Sequence, residues 1–99
     1  MASSDQKKGP ALDFNALVLS LGSSVIVHLG QAPDPTSGQK REQPEFAMAQ
    51  QSIDLLAMLQ EKTRGNLTAE EARFLENMLF DLRMLFVQVS RRQSPAKSP

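Results

Sequence analysis

Residues 59–75 read LQEKTRGNLTAEEARFL, and this stretch decides the fold. An apolar helical pattern runs into Lys62 and Arg64, cations suited to the last turn of a helix, and Gly65 stops it. Asn66 and Leu67 lead into Thr68-Ala69-Glu70-Glu71, which has the S/T-x-x-E form of a capping box. In such a box the threonine hydroxyl accepts from the glutamate amide while the glutamate carboxylate reaches back. So short a connection makes the two flanking helices antiparallel neighbours.

Upstream, the pattern predicts a helix over about 45–64. Pro44 and Glu45 suit its first turn. Phe46, Ala49, Ile53, Leu56 and then Leu59 or Gln60 form a heptad-like seam, widened by Met48, Leu55 and Met58. Downstream, a helix over about 69–92 gathers Leu75, Met78, Leu79, Leu82, Leu85, Phe86 and Val89 on one side. Phe80, Met84 and Val87 fall on nearly the opposite side, where one antiparallel neighbour would not cover them. Methionine at such positions is mostly core filler, but it also lines adaptable binding surfaces.

A third helix precedes both. Asp13 is placed to cap a helix over about 14–29, and Gly30 to end it in a left-handed conformation. Phe14, Leu17, Val18, Leu21, Val25 and Leu29 make one apolar stripe, and Leu19, Ile26 and Val27, interleaved with Ala16 and Ser23, make a second. A helix apolar on both sides is buried on both sides. Its interruptions are small (Ser20, Gly22, Ser23, Ser24) and would let another backbone approach closely. The segment is too short and too polar to span a bilayer, with Asn15, three serines and His28 inside it. A signal peptide is also disfavoured, since Asp5 and Asp13 precede the apolar run and Pro33 follows the nearest cleavage point. Val25-Ile26-Val27 is β-branched, but the cap and the stop favour helix.

The chain has 99 residues with 11 Lys+Arg against 11 Asp+Glu, which gives no overall pull toward nucleic acid or an anionic membrane. Without cysteine it has no disulfides, no thiolate-ligated metal and no thiol chemistry, a composition suited to the cytoplasm. Residues 1–12 and 93–99 read as disordered tails and 31–44, QAPDPTSGQKREQP, as a flexible proline-rich loop. Some 66 residues remain to build a core. Ordered chains below about 70–80 residues rarely hold more than roughly 3–5 kcal/mol without a staple or a partner. The fold predicted is therefore all-α: one long helix, a loop and a helical hairpin, completed as an oligomeric bundle, most simply a two-fold dimer.

Candidate chemistry is sparse. His28 is the single histidine, and no nucleophile elbow surrounds Ser20, Ser23 or Ser24. One histidine and no cysteine supply too few ligands for a metal, and no cofactor motif is present. The basic pairs Lys7-Lys8, Lys40-Arg41 and Arg91-Arg92 lack aromatic companions, so no nucleic-acid platform is expected. Asp54 and Asp81 interrupt apolar stretches, and Asp81 and Arg83 sit on different sides of one helix. Both aspartates are expected to find partners on another helix or chain, so that His28, Asp54, Asp81 and Arg83 orient packed helices.

Several short motifs together resemble a family of small bacterial proteins known as a domain of unknown function. They are Phe14-x-x-Leu17-Val18-x-Ser20-Leu21, Val27-His28-Leu29-Gly30 followed by Pro33-Asp34-Pro35, Ile53-Asp54-Leu55-Leu56, Lys62-Thr63-x-Gly65-Asn66-Leu67-Thr68 and Asp81-Leu82-Arg83. The resemblance covers about Phe14 to Val87 and implies a short, helical, bacterial protein with no residue role to carry over.

The residues therefore favour a non-enzymatic, self-associating interaction or accessory protein. Its expected interface is Leu19, Ser23, Ile26 and Val27 with Phe80, Met84 and Val87, and another protein is the alternative occupant. Two rival readings are peripheral membrane binding through the first helix, and an enzyme using His28 with Asp54 or Asp81.

Overall fold

The computed structural model describes residues 13–93. The expected tails at 1–12 and 93–99 lie outside the described residues except for Gln93, which is the last residue of the third helix. Three helices follow one another: α1 (Phe14–His28), α2 (Phe46–Lys62) and α3 (Ala69–Gln93). Each packs against both others, and no strand occurs among the described residues. Val25-Ile26-Val27 is helical.

Local hydrogen bonds fix the ends of α1. The Ala16 amide donates to Asp13 Oδ1 at 2.8 Å, the cap expected of that aspartate. At the other end the Gly30 amide donates to the Val27 carbonyl at 2.9 Å and the Gln31 amide to the Ile26 carbonyl at 3.0 Å. This pair of bonds is a Schellman motif, made possible by Gly30 at φ +76°. A further backbone bond, from the Glu45 amide to the His28 carbonyl at 2.7 Å, ties the start of α2 to the end of α1.

The hairpin forms as its sequence dictates. The Glu71 amide donates to Thr68 Oγ1 at 3.0 Å, and the Thr68 amide donates to Glu71 Oε1 at 2.9 Å. Helix α2 stops at Lys62, two residues short of the expected end: the Thr63 amide and hydroxyl both donate to the Leu59 carbonyl, at 3.0 and 2.7 Å, and the Arg64 amide then turns to the Glu61 carbonyl, three residues back. Arg64 then stands in the turn and binds Glu61 at 2.6 Å.

The core is Val18, Val25 and Leu29 of α1's end of the chain, Ala49, Ile53 and Leu56 of α2, and Leu75, Leu79, Leu82 and Val89 of α3. Around it, Phe46 meets Phe86 edge-on, with ring centroids 5.3 Å apart. Gly22 is also buried, and an added Cβ there would stand 2.7 Å from Met78 Sδ. Of the small residues in α1, then, Gly22 admits a close approach within the chain. Ile26, expected on the outward stripe, is half-buried and packs against the core. Leu17, expected in the core stripe, is 46% exposed.

Candidate functional site

The segment between α1 and α2 has a defined course built around Asp34. Its backbone amide donates to the Gln39 carbonyl at 2.9 Å, and its carbonyl accepts from the Gly38 amide at 2.7 Å. Oδ1 accepts from the Thr36 amide at 2.8 Å, an Asx-turn, while Oδ2 lies 3.4 Å from the Arg41 guanidinium. Arg41 also reaches Glu45 Oε2 at 3.0 Å. The Thr36 amide foremost, with the Arg41 charge adding to it, holds the Asp34 carboxyl below its ordinary value of 3.8.

This turn flanks the outward face of α1 and encloses an open groove of about 590 Å³. Ala16, Leu19, Ser23 and Val27 line it from the helix, and Asp34, Pro35 and Arg41 from the turn. His28, the last residue of α1, reaches the same groove while its Nδ1 is buried without a hydrogen-bond partner. Arg41 Nε is buried and unpartnered too. The carboxylate that shares the lining of this groove with His28 is Asp34, and neither Asp54 nor Asp81 lines it. Asp34 is held as an ion-paired acceptor, which disfavours its use as a proton donor at neutral pH. Sequence reasoning named Asp34 within a family motif and Arg41 within a basic pair, and missed that the two pair. The signal was present in Asp34-Pro35-Thr36, a side chain poised to close a turn onto its own backbone.

Within the described residues, Asp54, Asp81 and Arg83 pair with no side chain of another helix. All three side chains are exposed. Asp54 accepts from Gln50 Nε2, one turn earlier on the same helix, at 2.9 Å. The stretches around them looked enclosed because they are apolar, yet their outer sides face water.

The apolar positions expected at an interface lie on two separate surfaces. Leu19, Ser23 and Val27 belong to the groove, whose lining includes no residue of α3. On α3, Phe80 is 64%, Met84 48% and Val87 44% exposed. A further set, Met48, Leu55 and Met58, is exposed on α2. Among the described residues no group of three or more His, Asp or Glu side chains converges as a metal site, and no helix is long and apolar enough to cross a membrane.

A family model described as "Domain of unknown function (DUF1844)" matches residues 11–88. No curated protein and no solved structure matches the chain. The match contains every motif on which the resemblance rested, and the chain belongs to this family of small helical domains.

Proposed function

We propose that this member of the DUF1844 family is a non-enzymatic protein that acts through self-association, most simply as a two-fold dimer. One observation carries the reading. Among the described residues, eight large apolar side chains (Leu17, Leu19, Met48, Leu55, Met58, Phe80, Met84 and Val87) remain 41–64% exposed around a core of ten buried apolar side chains. Single exposed apolar side chains are ordinary, but sets aligned along a helix mark surfaces that meet another protein. A core this small gains from association, since covering such side chains is worth roughly 25 cal/mol per Å² of apolar surface removed from water.

Sedimentation equilibrium at micromolar concentration tests the reading. A concentration-dependent dimer supports it. A stably folded monomer across that range overturns it.

A further inference from the structure

Two outer helix faces carry a second seam. On α3, Arg73, Asn77, Phe80, Met84, Val87 and Arg91 follow one another at intervals of four and three, and all six are exposed. This is the a/d spacing of a coiled coil, on the side opposite Leu75, Leu79 and Leu82. On α2, Met48, Gln51, Leu55, Met58 and Lys62 show the same spacing. Charge separates the two. The α2 seam is bordered by Asp54 and Glu61, so the central antiparallel registers of two α2 helices set acidic residues against each other. The α3 seam is bordered by Glu76 and Arg83 on one side and by Asp81 and Gln88 on the other.

Three pairings of two α3 helices would set Met84 on an apolar residue of the second copy. A parallel pairing sets Glu76 against Asp81 of the second copy, and Arg73 and Arg91 each against itself. The antiparallel register that opposes Phe80 to Met84 brings Asp81 to Asp81, Arg83 to Arg83 and Arg73 to Arg91. Shifting that register by one heptad removes every like-charge contact. Met84 then packs on Val87 of the second copy, Phe80 receives the guanidinium of the second copy's Arg91 over its ring, and Asp81 faces an uncharged glutamine, Gln88. The face is complementary to itself.

We propose that a second copy of this chain docks on the outer face of α3, antiparallel, about a two-fold axis between Leu85 and Phe86. The proposal rests on the self-association reading and assigns it a surface and a register. Met84 and Val87 lie next to the axis, and Phe80 with Arg91 closes each end.

Sedimentation equilibrium on four proteins, with disulfide trapping, tests it. The wild type is expected to dimerise, and Met84→Glu to raise the dissociation constant at least about 100-fold, because a carboxylate would be buried unpaired. Met58→Glu, on the outer face of α2, is expected to leave the dimer intact. The chain has no cysteine, so single thiols report contacts directly. Oxidising a mixture of Met84→Cys and Val87→Cys proteins is expected to give the mixed disulfide, and Asn77→Cys alone to give none. A monomeric wild type overturns both the self-association reading and this surface. A wild-type dimer that survives Met84→Glu, or is lost with Met58→Glu, overturns the surface and leaves the reading standing. An Asn77→Cys disulfide overturns the antiparallel register, and trapping decides the matter even where Met84→Glu fails to fold.

Discussion

The thioether of Met78 on α3 lies over the bare α-carbon of Gly22 on α1, where an added Cβ would stand 2.7 Å from its sulfur and 3.3 Å from its methyl carbon. Glycine inside a helix costs about 1 kcal/mol relative to alanine, so Gly22 runs against local helix propensity. Gly22→Ala is expected to be neutral or destabilising in the wild type, because Met78 must move. In a Met78→Ala background the same change is expected to stabilise by about 1 kcal/mol. A double-mutant cycle by urea unfolding reads the coupling, and additivity would show that the two helices do not meet there.

The reciprocal bonds between Thr68 and Glu71 each satisfy an amide left open by the start of α3. Thr68→Ala removes one of them and exposes the first turn to fraying. A loss of about 1 kcal/mol is expected in chemical unfolding. Glu71→Gln keeps an acceptor for the Thr68 amide and is expected to cost much less.

That hairpin was legible in the sequence because its hydrogen bonds join residues three apart, so the partners can be read side by side. The α1 cap at Asp13 and the stop at Gly30 were legible for the same reason. The groove was not. Its turn is closed by Asp34 with Gln39 and Arg41 and by Arg41 with Glu45, and neither composition nor periodicity reports pairs spaced across a proline-rich segment. Asp54 and Asp81 show a different limit. Helical spacing tells which residues share a face, but a neighbour must actually cover that face before a charge on it needs a partner.

Gly30 and Gly65 both hold positive φ, at +76° and +87°, yet their surroundings differ. At Gly65 an added Cβ meets open space, whereas at Gly30 it would stand 3.0 Å from the backbone carbonyl oxygen of Arg41. Gly65→Ala is expected to cost only the conformational penalty, about 1–2 kcal/mol. Gly30→Ala adds a clash with backbone that cannot swing away, and is expected to lose about 1 kcal/mol more. Equal midpoint shifts for the two variants in urea would contradict the close approach of the turn to the end of α1.

Asp34 links the turn to pH. Its carboxyl is held below 3.8 first by the Thr36 amide and then by the Arg41 charge, against some desolvation. A carboxyl whose folded value is depressed binds protons more readily in the unfolded chain. Its contribution to stability is therefore complete above 3.8 and is lost as pH falls through the lower, folded value. An NMR titration of the Asp34 side chain is expected to give a midpoint below 3.8, and Asp34→Asn to abolish this one step in the acid unfolding profile. Salt separates the two causes, because it screens Arg41 and leaves the Thr36 hydrogen bond in place. About 1 M salt is accordingly expected to raise the midpoint only part of the way back. A midpoint at the ordinary value would mean that the Asx-turn does not form, and with it the rim of the groove beside His28.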